Sequence, residues 1–312
     1  MSGKIETFRL GKEASCSVAM DLGINLFSWT VKGREVLFRP EGFPGIRDQF
    51  YHGGNPILFP SVGRTWDRGK VPPRPGVYRL HPEGTEYRMP IHGILPECSW
   101  AKISQHERDE YIRAEFKLEI PKTVQRDSYP FELEYRQVFI LTATALKLEA
   151  DFRNLGSRPA PFAFGYHPYF ALSNADRKGI EVRLPCTKRV ALDPELLVPT
   201  GAPAEDAAGT FELEPGREYD AGFTGISGRK AELVDRQAGR TVSIDVDSHI
   251  ENFVVYAPPG NPWVCIEPWT RGLGAFETLK DPGWWEAGRP LPILKPGESR
   301  KIEVYYAVHE KA

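Results

Sequence analysis

The stretch "YIRAEFKLEI", residues 111–120, alternates large apolar side chains with charged ones along its whole length. In an extended chain, successive side chains point to opposite faces, so this segment has one face for a core and one for water. The same rhythm runs through "FELEYRQVFIL" (131–141), "LKLEADFRN" (146–154) and "KIEVYYAVHE" (301–310). One-sided burial of this kind belongs to antiparallel sheets rather than to parallel ones, whose strands are apolar on both faces. The 29 glycines and 28 prolines are spread along the chain as turn punctuation, implying many strands joined by many loops. No long segment shows the 3.6-residue period, and "VALDPELLVPT" (190–200) has room for one helical turn at most. The fold class read from these patterns is all-β, a large antiparallel β-sandwich or barrel-like architecture.

The 312 residues are enough to bury a substantial core, and large all-β units of this length are often one domain. A single domain over residues 1–312 is therefore expected. No sequence period of a repeat protein recurs. Residues 200–230, rich in Gly, Ala, Pro and acidic side chains, read as a long excursion between strands. Forty basic residues against forty-two acidic ones leave a net charge of −2, which supplies no basic surface for nucleic acid or an anionic membrane. Cys16, Cys98, Cys186 and Cys265 are widely spaced and form no C-x-x-C pair, as expected of small core residues in a reducing compartment. The first twenty residues lack the apolar core of a signal peptide, and no stretch reaches the ~20 apolar residues that span a bilayer. A cytoplasmic location is the resulting expectation.

Nucleotide-binding and serine-hydrolase motifs are absent: there is no G-x-x-x-x-G-K-[ST], no G-x-G-x-x-G after a strand and no G-x-S-x-G. Four segments place ionisable groups in unusual company. "GGNPILFPSVGRTWD" (53–67) leads an apolar run into Arg64, a rigid fork of donors that suits either a surface ion pair or an oxygen-rich ligand. "MPIHGILPECSW" (89–100) holds His92 before a glycine, and "FGYHPYF" (164–170) sets His167 among aromatic rings. Either histidine reads alone as a satisfied core residue or as a proton carrier. "NPWVCIEPWT" (261–270) ends an apolar strand on Glu267. Burial there would raise the carboxyl pKa, as suits a general acid or base. His52, His92 and His167 have no metal-ligand spacing, and no metal is expected. Trp263, Trp269, Trp284 and Trp285 fit either core packing or flat faces for a sugar ring.

Taken in order, these segments resemble the aldose 1-epimerase (mutarotase) superfamily. "GGNPILFPSVGR" is similar to its first signature, "GVYRLHPEGTEYRMPIHGILPECSW" (76–100) to its hairpin and His-Gly motif, and "FGYHPYF" to the segment of its catalytic histidine. "REYDAGF" (217–223) falls where that family has a substrate-binding aspartate, and "NFVVYAPPGNPWVCIEPWT" (252–270) resembles the strands ending in its catalytic glutamate. The resemblance implies a galactose mutarotase-like β supersandwich that interconverts the α and β anomers of a free hexose. Glu267 would be the base at the C1 hydroxyl and His167 the acid at the ring oxygen, with His92 supporting charge there. Arg64 and Asp220 would bind other hydroxyls, with no metal or organic cofactor. Pro168-Tyr169 replaces the more usual Ser-Tyr, as in the branch that includes hexose-6-phosphate epimerases. That branch usually has arginine before the first Gly-Gly, where this chain has His52, although Arg64, Arg68, Lys70 and Arg74 are close in sequence. Arg271 follows the glutamate segment, where it would alter the pocket rim. A hexose 6-phosphate substrate and a sugar-binding protein without catalysis stay open as alternatives.

Overall fold

The computed structural model describes residues 4–43, 51–286 and 291–310. Among them, two large antiparallel sheets dominate. The nine-stranded sheet runs, in spatial order, Ser99–Glu107, Ile112–Glu119, Leu133–Leu141, Ala145–Asn154, Ser299–Glu310, Arg240–Val246, Lys230–Asp235, Ile180–Arg183 and Thr210–Glu212. Its centre is the set of segments whose alternation is plainest in sequence. Ala114, Phe116 and Leu118 are buried, as are Tyr135, Phe139 and Leu141 on the next strand. The second sheet has eight strands, with Tyr219–Ile226, Ile250–Ala257 and Trp263–Thr270 paired side by side at its middle. Gly165–Tyr166 and Tyr169–Ala171 both pair with Trp263–Thr270, and Ile57–Leu58 extends the edge beyond Gly165–Tyr166.

An aromatic core couples the two sheets. Phe59 and Phe164, from the eight-stranded side, pack on Tyr135 and Phe152 of the nine-stranded sheet, with ring centroids 5.2–5.9 Å apart. Gln137 is buried within an apolar strand face and accepts hydrogen bonds from Tyr135 Oη at 2.6 Å and Tyr166 Oη at 3.0 Å. The second of these bonds ties the residue before His167 to the opposite sheet. A four-stranded sheet of Ile5–Leu10, Ala14–Ala19, Asn25–Val31 and Arg34–Glu35 adds its apolar side to the same core.

One sequence expectation needs correction. Residues 200–230 hold the strands Glu205–Asp206, Thr210–Glu212 and Tyr219–Ile226, and the last lies near the centre of the second sheet. Its Gly- and Ala-rich sequence carries little alternation, because pairing on both sides and small side chains replace the usual amphipathic pattern. The "VALDPELLVPT" segment forms no helix. Asp193 Oδ1 instead accepts the backbone N–H groups of Glu195 and Leu196, both at 2.9 Å, closing a side-chain-capped turn. The four cysteines are free thiols. No helix among the described residues is long and apolar enough to cross a membrane.

Candidate active site

Strand register builds the site. In the eight-stranded sheet Asp220 lies opposite Tyr256, Tyr256 opposite Cys265, and Cys265 opposite Tyr169. The adjacent row on the same face is Gly222, Val254 and Glu267. Because faces alternate, Val255, Val264 and Ile266 go to the core while their neighbours look the other way. The outward face floors a cavity of about 320 Å³. His167, Glu267, His92, Arg64 and Asp220, which come from five separate parts of the sequence, all line it.

The backbone explains how the two histidines arrive there. His167 donates its backbone N–H to Pro56 O at 2.9 Å, fixing the chain between its two short strands. Its imidazole stacks on the Tyr169 ring at 4.8 Å and 14°. The Tyr169 hydroxyl is in turn donated to the Tyr51 carbonyl. His92 has φ +62° and Gly93 has φ +96°, and a Cβ on Gly93 would lie 2.0 Å from Phe59 O. Only glycine fits there, and a β-carbon-bearing residue at positive φ, as at His92, is held by its surroundings at a cost in strain. Those surroundings include the His92 N–H to Gly63 O bond at 2.9 Å and the Gly63 N–H to His92 Nδ1 bond at 3.1 Å. Because Nδ1 accepts, neutral His92 carries its proton on Nε2, which makes that nitrogen a donor.

His167 Nε2 and Glu267 Oε1 are 3.3 Å apart, and both side chains are almost fully buried. His167 Nδ1 and Glu267 Oε2 have no hydrogen-bond partner among the described residues. Burial lowers the His167 pKa from 6.5 to about 3. It lifts Glu267 well above the usual carboxylate range, and the nearby negative charge of Asp220 adds to the rise. The Trp269 indole N–H opposes that rise, although it forms no well-aligned hydrogen bond. Burial therefore favours a neutral imidazole beside a protonated carboxyl over the ion pair. His92 is held well below its ordinary pKa by burial, with His167 and Arg64 adding to the effect.

Arg64 is exposed at the cavity wall, and no hydrogen bond or ion pair engages its guanidinium among the described residues. Asp220 keeps contact with solvent, yet the protein crowding it raises its pKa, while Arg64 pulls the other way. The other cations near Arg64 in sequence are differently placed. Arg68 pairs with Glu277 at 2.7 Å and Arg74 with Glu86 at 2.6 Å. Arg271 is also not at this rim: it pairs with Glu251 at 2.7 Å, outside the cavity lining.

The aromatic wall includes Trp269, one of the four tryptophans that sequence offered as a sugar-ring face, and adds Tyr51, Tyr169 and Tyr256. Alternation in "WVCIEPWT" carried the signal for Trp269, two residues from Glu267 on the same strand face. Leu192, Leu197 and Leu273 close another side from loops that have no periodicity to read. Trp284 packs in the core and Trp285 is exposed, so neither belongs to this site. His167, Cys265 and Glu267 bring nitrogen, sulfur and oxygen atoms within 4.8 Å of one another, the one set of potential metal ligands among the described residues. It differs from the His52, His92 and His167 set weighed from sequence, and a metal there would occupy both members of the His167–Glu267 pair.

The aldose 1-epimerase family profile matches residues 6–307. The chain belongs to the aldose 1-epimerase family. Solved structures of similar proteins cover nearly all of it. The Slr1438 protein of Synechocystis sp. PCC 6803 is 25% identical, with 98% of this chain and 96% of that one covered and a TM-score of 0.78. A galactose mutarotase-like protein from Clostridium acetobutylicum is 20% identical over 99% and 96% of the two chains, with a TM-score of 0.82. The galactose 1-epimerase of Lactobacillus acidophilus is 15% identical over the full length of both, with a TM-score of 0.71. At those last two identities the likeness establishes the galactose mutarotase-like fold. The uncharacterized Escherichia coli protein YihR is 30% identical over 128 residues, and the match spans 39% of that protein's length. Family membership makes an epimerase-type isomerase acting on a sugar the frame for the site's chemistry.

Proposed function

We propose that this protein is an aldose 1-epimerase that interconverts the anomers of a free hexose by opening and reclosing the ring. The observation that carries the reading is the buried His167–Glu267 pair, 3.3 Å apart on the floor of a cavity of sugar size. Ring opening breaks the C1–O5 bond and makes a carbonyl at C1. It requires one proton to leave the C1 hydroxyl and one to reach the ring oxygen. With Glu267 ionised and His167 protonated, the carboxylate takes the first proton and the imidazolium supplies the second. The pair then holds its one proton on the carboxyl, which is the form that burial favours. A raised carboxyl pKa makes a stronger base and a lowered imidazole pKa a stronger acid, so both transfers run downhill once the pair's proton has moved from the carboxyl to the imidazole, a move that is uphill in the buried pair. Rotation about C1–C2 and the reverse transfers close the other anomer.

His92 Nε2–H is the donor that stabilises charge near the ring oxygen. Arg64 and Asp220 hold further hydroxyls and orient the ring. The cycle uses side chains alone, with no cofactor assigned to any step. Replacing Glu267 with Gln keeps the shape and removes the base. Anomer exchange measured by NMR on glucose and galactose is expected to fall to the uncatalysed rate in Glu267→Gln protein. Undiminished acceleration would refute the assignment.

Arg64 supports a second reading. A guanidinium without a partner among the described residues suits a hexose 6-phosphate. Its neighbours in sequence Arg68 and Arg74 are tied to carboxylates, and Arg64 is the one arginine among the described residues that line the cavity, which favours the neutral sugar. Inorganic phosphate would inhibit under the phosphate reading and leave a free-hexose enzyme unaffected.

A further inference from the structure

Cys265 has no part in the acid–base cycle, yet its strand sets it on the same face as Glu267, two residues away. It is fully buried, in a cluster with Tyr169 and Trp263 against which Tyr256 packs. The Cys265 sulfur, a His167 ring nitrogen and a Glu267 carboxylate oxygen all lie within 4.8 Å of one another. His167 and Glu267 line the catalytic cavity, which gives a small solute access to the set. His167 Nε2 and Glu267 Oε1 are 3.3 Å apart. Two ligands bound at about 2.0–2.1 Å to one tetrahedral cation have that same separation. A thiolate bond of about 2.3 Å asks the sulfur to close in by roughly 1 Å at most. His167 Nδ1 and Glu267 Oε2 have no partner among the described residues, so no hydrogen bond to either atom competes for the pair.

We propose that His167, Cys265 and Glu267 form an inhibitory site for a thiophilic divalent cation of the Zn²⁺ class, with solvent as the fourth ligand on the cavity side. The donor set selects the ion. One imidazole, one thiolate and one carboxylate suit zinc, whereas magnesium and calcium take oxygen ligands. Charge balances as well. The thiol and the carboxyl, both held neutral by burial, each release a proton to solvent as the cation binds. A doubly charged cation with two anionic ligands and a neutral imidazole then leaves no net charge in the buried site. Binding ties up the nitrogen and the oxygen that would carry the sugar's protons, so the loaded form is inactive. The cation site stands on geometry and donor chemistry; its effect on turnover rests on the acid–base reading above.

The experiment titrates the full chain, first stripped of metal, with Zn²⁺ by calorimetry and with Co²⁺ by absorbance. Anomer exchange of glucose and galactose is followed by NMR in parallel. One equivalent of Zn²⁺ is expected to bind and to bring exchange down to the uncatalysed rate, with EDTA restoring it. Mg²⁺ is expected to do neither. Co²⁺ is expected to give a thiolate-to-metal charge-transfer band that Cys265→Ser lacks. The same variant should bind Zn²⁺ at least about ten-fold more weakly, its inhibition being read against its own metal-free rate. Cys98→Ser, which removes the one thiol that is only partly buried, is expected to keep the band. If Cys265→Ser folds poorly, the wild type and Cys98→Ser decide, because the band reports a buried thiolate directly. No band in the wild type, a band that survives Cys265→Ser or disappears in Cys98→Ser, or bound Zn²⁺ that leaves exchange untouched would overturn the site. No acceleration of any sugar by the metal-free protein would instead overturn the acid–base reading, and the two metal titrations would still decide the cation site.

Discussion

Acid should destabilise the wild-type protein more than a His167→Gln variant, and by an amount the site determines. His167 binds its proton at about 3 in the folded protein, against 6.5 when exposed. Below pH 6.5 the unfolded chain takes up a proton that the folded chain refuses, so unfolding gains ground as pH falls towards 3. Above pH 6.5 neither state is protonated and this contribution vanishes. At pH 4 the gap amounts to roughly 2.5 pH units, or about 3 kcal/mol at 1.36 kcal/mol per unit. Surface carboxylates such as Glu86 and Glu134, whose pKa values are lowered by basic partners, also lose stabilisation in acid. His92 acts in the same direction as His167. The carboxylate contributions are common to both proteins, and removing His167 relieves only a lesser part of the His92 shift, so the informative quantity is the difference between wild type and variant. Urea unfolding at pH 7, 5 and 4 measures it. The wild type should lose about 3 kcal/mol more than His167→Gln between pH 7 and pH 4. Parallel stability curves would refute the reasoning, because they would mean that His167 takes up its proton as readily in the folded protein as in the unfolded chain.

Glu267 gives the opposite sign. Its pKa is raised in the folded state, so the unfolded chain ionises first as pH rises above the ordinary carboxylate value, and stability falls. Glu267→Gln is therefore expected to lose activity and gain about 1 kcal/mol of stability at pH 8, read from urea midpoints; equal or lower stability would count against a strained, protonated carboxyl. Gly93→Ala places a Cβ against Phe59 O at positive φ and is expected to cost about 3 kcal/mol or more, with a matching fall in thermal midpoint. Gly222→Ala meets only ordinary contacts at 3.6 Å from Leu273 and Val190, so it should fold normally while raising KM, since the added methyl enters the cavity floor.

The parts of the fold that were legible in sequence are those whose burial is one-sided. Residues 112–118 and 133–141 alternate because one face meets the aromatic core and the other meets water. The Tyr219–Ile226 strand escaped notice for a physical reason: its two faces carry Asp220, Gly222 and Thr224 on one side and Ala221 and Phe223 on the other, too small a contrast to read as periodic. The same economy of side chains leaves space above Gly222 for a ligand. What makes that strand hard to see in sequence is thus what makes it useful in the site.

The individual site residues were visible as oddities, such as a glutamate ending an apolar strand or a histidine held between aromatic rings. Their convergence was not, because it depends on register. Cys265 faces Tyr256 on one side and Tyr169 on the other, and this pairing brings residues 167, 220 and 267 around one cavity. A slip of one residue in the Trp263–Thr270 strand would turn Glu267 into the core and bring Ile266 or Pro268 to the cavity. The apolar residues Val264 and Ile266, fully buried against the opposite sheet, oppose that slip. Burying them keeps the carboxylate on the ligand side. The core packing of this strand and the placement of its acid–base group are therefore one constraint, and substitutions at Ile266 should disturb both together.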